Sequence, residues 1–406
     1  MSNNVTIIGA GPAGMTAALF AAHSGAPVRL IDGNAMVGRK LLVTGSGRAN
    51  LTNQQMDAKR FTCADPAWMQ ALLGRFGHVE LVQFLESIGV LTYATPDGWC
   101  YPVSESAQTV VDSFKNALNL SKVELVLSTK VKTINRNQQG FNLNLETGKM
   151  LNCEHLIVAA GGKAYPTLGS RGELFSSLEN LGHSVQPLSP ALAPVTCDMQ
   201  AFKRLLGVRL DAQVSLFEGT ILLAKTTGNL IFTQWGLNGP AVMDLSHHIS
   251  ARSSSKLVLH LNLLHTYEPV LRKLFESKRN SLTPLRALLG AVLPPKLPPV
   301  VLPLAGISPD GLINEINDAQ IEKLFQLLTN LPFKVTGVRG FEYCQVSSGG
   351  VPVSEVDPLT MQSRIIPGLG LAGETLDVIG PCGGFNLQFA FSSGAIAGMN
   401  ICNLGK

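Results

Sequence analysis

Three glycines at positions 9, 11 and 14 constrain the fold of this chain more than any other feature. Gly9-Ala10-Gly11-Pro12-Ala13-Gly14 follows the apolar run Val5-Thr6-Ile7-Ile8 and leads into residues 15–24, rich in Ala and Leu. A second apolar run, Val28-Arg29-Leu30-Ile31, then ends on Asp32. The pattern predicts strand, tight turn, helix and strand. In such a unit Gly9 makes the turn, Gly11 lets backbone N–H groups approach a pyrophosphate, and Gly14 lets the helix pack close to the strand. The helix N-terminus, opened by Pro12 and Ala13, adds partial positive charge. Asp32 stands where a carboxylate accepts both hydroxyls of a ribose. The expected opening is a dinucleotide-binding βαβ unit.

The chain has 406 residues, enough for two or three domains. It is 45% hydrophobic and 15% charged, which supplies buried cores and excludes a disordered composition. The net charge of +4 comes without a basic stripe, so no nucleic-acid partner is expected. Residues 272–279 are the densest basic group and carry Glu276, which reads as a solvated helix face. Seven cysteines, at 63, 100, 153, 197, 344, 382 and 402, form no C-x-x-C, so neither zinc nor a dithiol redox centre is signalled. Unpatterned cysteines suit a reducing cytoplasm. Residues 5–25 are uncharged but broken by Gly9, Gly11, Pro12 and Gly14, and residues 287–305 hold five prolines; neither reads as a signal peptide or a stable membrane insertion.

Further along, residues 67–120 read as mostly helical, residues 123–145 as strands joined by a turn at 135–140, and residues 156–160 as a buried strand. From about 190 the alternation of Ala212-Gln213-Val214-Ser215-Leu216 suggests a small barrel. Residues 265–332 read as helices broken by a Pro-rich loop at 294–303. The expected domains are a first part of a nucleotide domain at 1–190, an insert at 191–345 and a second part at 346–406. Within the insert, a β-barrel is expected over about 191–260 and 333–345, and a helical subdomain over about 261–332.

Two more segments carry chemistry. Gly38, Arg39 and Lys40, then Thr44, Gly45, Ser46, Gly47, Arg48 and Asn50, alternate small residues with cations, a loop suited to a diphosphate or a flavin edge. Near the C-terminus, Gly373-Glu374 places a carboxylate for a ribityl chain. Gly383, Gly384, Phe385, Asn386 and Leu387 aim amides and a helix dipole at the flavin pyrimidine, stabilising an anionic reduced ring. Val131, Ala160, Gly161 and Gly162 complete the expected cofactor contacts. A dinucleotide motif at the N-terminus closed by C-terminal sequence points to FAD rather than NAD as the tightly held group.

On these residues, together with Tyr165-Pro166, Gly169-Ser170, Gly182-His183, Gly349-Gly350-Val351 and Asn386-Leu387-Gln388, the chain resembles the BaiN/RdsA-type (YhiN-like) NAD(P)/FAD-dependent oxidoreductases over essentially its whole length. The resemblance implies an α/β fold, a two-dinucleotide-binding-type (Rossmann-like) FAD domain interrupted by a β-barrel and a helical insert that roofs the substrate. It also implies NAD(P)H as transient donor and hydride transfer through flavin N5 to an electron-poor double bond of an apolar small molecule, through the bile-acid reduction ascribed to a family member. More distantly the layout is similar to flavoproteins of the fumarate reductase and ketosteroid dehydrogenase type. The chain departs from the family at Ala49, where a cysteine is usual, at Gln234 in place of a histidine, and at Gly98-Trp99-Cys100-Tyr101-Pro102 in place of Gly-Arg-x-Phe-Pro.

Two alternatives stand beside this reading. One is an FAD-dependent dehydrogenase or oxidase reoxidised by O₂ or a quinone, since no second strict G-x-G-x-x-G is present. The other is a flavin-carrying RNA-modifying or RNA-binding protein. No catalytic residue is assigned; Tyr165, Tyr101 and Arg171 are the candidates, each weighed against packing or a surface role. His247-His248 and Cys382 read as structural. Neither the substrate nor the oligomeric state follows from the sequence.

Overall fold

The computed structural model describes residues 4–401, which leaves Cys402 outside the described residues. The chain divides into two compact units, one of residues 1–189 with 345–406 and one of residues 190–344.

The first unit is built on a five-stranded sheet in the order Leu369–Leu371, His155–Val158, Val5–Ile8, Val28–Ile31, Glu124–Val126. All four pairings are parallel. Val5–Ile8 is buried along its whole length, as a central parallel strand covered on both faces must be. Two apolar helices, Pro12–His23 and Phe385–Asn400, pack against each other at unusually close range. A Cβ at Gly394 would lie 2.2 Å from the Ala13 carbonyl oxygen, and one at Gly398 2.3 Å from that of Ala17. The C-terminal sequence thereby clamps the N-terminal nucleotide motif.

The second unit holds a closed six-stranded barrel in the order Val195–Cys197, Gly236–Asn238, Ile221–Thr233, Arg209–Glu218, Leu257–Asn262, Leu331–Val338, with the helices Glu268–Lys278, Leu285–Leu289, Pro298–Leu304 and Asp318–Thr329 between its last two strands. Strict alternation fills its interior with Ala212, Val214, Leu216, Leu257, Leu259, Leu261, Phe333 and Val335. A Rossmann-like FAD fold containing a closed barrel is therefore the architecture, as the motifs implied.

Two local expectations differ from what is found. Within 67–120, Thr92–Ala94 and Trp99–Pro102 form strands; Trp99–Pro102 is the middle strand of a small antiparallel sheet, between Thr52–Asn53 and Thr92–Ala94. The Pro-rich stretch is not all loop either: Pro298–Leu304 is helical, with prolines in its first two positions, where no N–H is needed, and a third in its last turn.

Candidate functional site

The first glycine turn separates what the chain needs from what a ligand needs. A Cβ at Gly14 would sit 1.7 Å from the Gly9 carbonyl oxygen, and one at Gly9 2.3 Å from that of Ala159, so backbone packing alone demands both glycines. At Gly11 a Cβ would meet nothing within 4 Å, and its backbone is extended with φ −79°. Neither strain nor crowding within the protein explains a glycine there. The open space in front of Gly11, at the N-terminus of the Pro12–His23 helix, leaves room for a pyrophosphate.

Asp32 ends the second strand. Its Oδ2 accepts from the Ala10 amide at 2.7 Å, and its Oδ1 from the Asn34 backbone N–H at 2.7 Å and side-chain amide at 2.9 Å. These donors fix the carboxylate and leave it further acceptor capacity. Val131 is buried at the start of the Val131–Asn137 strand, two residues beyond the Thr129 amide that donates to the Asp32 carbonyl.

The three cations of the second segment take three different partners. Arg39 donates to Asn34 Oδ1 at 2.7 Å, which sets it beside Asp32. Lys40 pairs with Glu374 at 2.6 Å. Arg48 lies with its guanidinium 4.5 Å from the ring centre of Tyr101. The Lys40–Glu374 pair is anchored further, because the other Glu374 oxygen accepts from the Ser347 amide and hydroxyl, each at 2.8 Å. Gly162 is pinned here as well: a Cβ there would lie 2.0 Å from Ser347 Oγ and 2.7 Å from Glu374 Oε1. Gly161 faces Ser170 in the same way, Ala160 abuts Gly9, and Gly373 abuts Ala13.

The turn around residues 44–50 is held in an uncommon conformation. Gly45, Ser46 and Gly47 are consecutively left-handed, with φ of 56°, 58° and 86°, and Ala49 follows at 61°. Thr44 Oγ1 donates to the Leu41 carbonyl at 2.7 Å, and the Gly38 amide donates to Ala10 at 2.8 Å, tying this segment to the first turn. Asn50 is buried with its side-chain amide facing the Thr52 and Cys100 carbonyls.

The C-terminal turn closes on the same loop. Asn53 donates to the Gly383 carbonyl at 2.9 Å, and a Cβ at Gly384 would lie 2.3 Å from the Thr52 carbonyl oxygen. Asn386 bridges Gly380, accepting from its amide and donating to its carbonyl. Phe385 is buried, and Leu387 is half-buried on the same helix. Thr52 donates to Gln388, Gln388 to Ser392 and Ser392 to the Phe76 carbonyl, a buried chain that locks strand to helix. His78 Nδ1 lies 3.2 Å from Thr52 Oγ1, and burial lowers the pKa of this histidine, a nearby Glu80 opposing.

These contacts tie the 38–50 segment to the first glycine turn and to Glu374, and the Asn50–Asn53 segment to the Gly383–Gly384 turn. Ser347 and Asn34 were not expected. Ser347 left no local signal, since its partner Glu374 is 27 residues away. Asn34 could have been read from Asp32-Gly33-Asn34, a spacing that favours side-chain to backbone turns.

Among the candidate acids, Tyr165 holds a left-handed backbone at φ 54°, and Arg171 is exposed and donates to the Pro166 carbonyl. Tyr101 is only 3% exposed. Burial raises its pKa, with Arg48 pulling it back and Glu105 adding to the rise. In the barrel unit, burial lowers the pKa of His247 to about 4, with His248 and Arg252 adding to it, which favours the neutral imidazole over the charged form. A recess of about 670 Å³ in that unit bears Lys256 and Lys334 beside Asp198 and Gln200. Among the described residues no cluster of three or more His, Cys, Asp or Glu could hold a metal, and no helix is long and apolar enough to cross a membrane.

Comparison with known proteins bears on this geometry. The chain is 34% identical over 98% of both chains to the 3-dehydro-bile acid delta(4,6)-reductase of Clostridium scindens. It is 30% identical over 95% of both to the ribosomal RNA dihydrouridine synthase of Escherichia coli. In three dimensions it is similar to the 3-ketosteroid delta1-dehydrogenase of Sterolibacterium denitrificans, with TM-score 0.53 and 13% identity over 99% of this chain and all of that one, a likeness of fold. The HI0933-like protein Rossmann domain model matches residues 3–400. With that match and that open space at Gly11, the chain belongs to the HI0933-like Rossmann family and is an FAD-dependent oxidoreductase.

Proposed function

We propose that the enzyme uses NAD(P)H to reduce a carbon–carbon double bond conjugated to a carbonyl in an apolar, steroid-like small molecule. The observation that carries this reading is the 34% identity, end to end, with a relative named for saturating such bonds in a 3-oxo bile acid. Bound FAD would supply the two-electron relay between the reduced nicotinamide and the double bond. The chain's own residues would hold and tune it. Gly9, Gly11 and Gly14, with Asp32 fixed by Asn34, take the adenosine half, and Arg39 adds positive charge near it. The Lys40–Glu374–Ser347 cluster orients the middle of the cofactor. The 44–50 turn and the Gly383–Gly384 amides surround the ring.

Anaerobic stopped-flow with NADH and then NADPH, followed by 3-oxochola-4,6-dienoic acid, tests this. Flavin bleaching by a nicotinamide and recovery of colour with the enone are expected. Absence of bleaching with both donors would move the reading to a dehydrogenase or oxidase reoxidised by O₂ or a quinone.

A second reading has its own support. Uridine also carries a double bond conjugated to a carbonyl, and the relative at 30% identity is named for reducing it in ribosomal RNA. The whole net charge of this chain resides in residues 190–344, which hold fifteen Lys and Arg against eleven Asp and Glu, while the remainder is balanced at seventeen each. Formation of dihydrouridine in ribosomal RNA by the reduced enzyme, with no turnover of the enone, would favour this reading over the first.

A further inference from the structure

Two tyrosines stand side by side in the small antiparallel sheet and are treated differently by the protein. Tyr93 and Tyr101 are directly paired across adjacent strands, with ring centres 6.2 Å apart. The Tyr93 hydroxyl is committed: it donates to Glu105 at 2.5 Å. The Tyr101 hydroxyl makes no hydrogen bond among the described residues, although its ring is buried. A buried ring with an uncommitted hydroxyl is costly unless that hydroxyl meets water or a ligand.

The position of Tyr101 says which of these it is built for. Trp99 and Tyr101 lie two apart on the Trp99–Pro102 strand and share one face. At one end of that face, the Trp99 indole nitrogen would lie 2.9 Å from a Cβ at Gly383. At the other, Tyr101 Cε1 would lie 3.2 Å from a Cβ at Gly45. The face therefore runs between the two glycine turns assigned to the flavin ring. The Arg48 guanidinium sits over the Tyr101 ring, where a cation favours negative charge building beyond the hydroxyl. Arg171 offers no such arrangement, since it is exposed and spends its Nε on the Pro166 carbonyl.

We propose that the Tyr101 hydroxyl, backed by Arg48, is the hydrogen-bond donor that holds the substrate's carbonyl oxygen while the conjugated double bond is reduced. The assignment rests on the enone reading above. Reduction at the carbon β to the carbonyl pushes an electron pair onto its oxygen. Tyr101 stabilises that charge by a hydrogen bond and keeps its own proton, and the proton that completes the α carbon comes from water. A donor placed in this way contributes roughly 10²–10³ in rate in other enzymes.

The test is Tyr101→Phe in the full-length FAD-loaded protein, which removes one oxygen and keeps the ring under Arg48. Flavin content, thermal midpoint and the rate of bleaching by NAD(P)H should match the wild type. Reoxidation by 3-oxochola-4,6-dienoic acid should slow by about 10²-fold. The oxidised enzyme lacks the electrons to turn this enone over, so the C3 carbonyl stretch of the bound compound would be readable by isotope-edited infrared spectroscopy. A shift to lower frequency in the wild type that disappears in Tyr101→Phe is the expected signature, and a merely structural tyrosine would not produce it. Equal rates and an equal carbonyl frequency in the two proteins would overturn the assignment and leave the enone reading standing. A wild type that neither binds nor reduces the compound would overturn both.

Discussion

The two glycine turns that frame the candidate site reach their shapes for opposite reasons. In the first, Gly9 and Gly14 are required by the chain's own backbone, and only Gly11 faces open space. In the second, left-handed geometry falls on residues that do not favour it: Ser46 and Ala49 carry side chains at φ 58° and 61°. The first turn is a packing solution with one opening. The second is a strained loop held by its surroundings, with Arg48, Tyr101 and Asn50 among them. Backbone strain of this kind persists where neighbouring structure over-determines it, and functional loops are where it collects.

Substitutions can break this contrast. Gly14→Ala should be the most damaging, because its Cβ would collide with the Gly9 carbonyl and nothing flexible can yield. A loss of at least about 3 kcal/mol is expected, read as a large drop in denaturation midpoint of the FAD-free protein. Gly11→Ala should leave that midpoint unchanged and weaken FAD binding by about 10²-fold, close to 3 kcal/mol. Isothermal titration with FAD on both variants separates the two effects. Equal behaviour of the two would mean that the first turn has no ligand-facing position.

The same contrast explains what could be read from the sequence. The first turn was legible because its whole logic lies within 28 residues: strand, spacing, helix, strand and acid. The cations of the second were visible as residue types but not as partners. Lys40 meets Glu374 across 334 residues, and no local spacing reports such a contact. Trp99–Pro102 was hidden because four residues ending in proline, between two helices, carry no periodicity to distinguish them. The helix at Pro298–Leu304 was hidden because prolines usually end helices and here begin one. The Tyr93–Tyr101 pairing depends on that unread strand, so the difference between their hydroxyls required the structure.

Lys40→Met probes the bridge between the two turns. It leaves the half-buried Glu374 carboxylate with Ser347 alone. A cost of about 2 kcal/mol is expected, below that of a fully buried pair because both groups keep some solvent. If the pair serves the cofactor as well as the fold, FAD affinity should fall along with the denaturation midpoint. Restoration of both by Lys40→Arg would identify charge pairing, rather than the exact amine, as what matters.

The smallest expected effect has the opposite sign. Ser46 is exposed and its side chain makes no hydrogen bond among the described residues, so no side-chain contact repays its left-handed backbone. Ser46→Gly removes a conformational penalty of roughly 1–2 kcal/mol and adds the entropy cost of a glycine in the unfolded chain, about 0.4–1 kcal/mol. The balance is a gain of about 0.5 kcal/mol in denaturation midpoint measurements. The loop should then be less sharply held, and FAD release should quicken although the protein is more stable. A strained loop kept for the ligand predicts that divergence between stability and retention. If Ser46→Gly instead lowered stability and left FAD release untouched, the serine would be part of the packing, and the two turns would be built on the same principle after all.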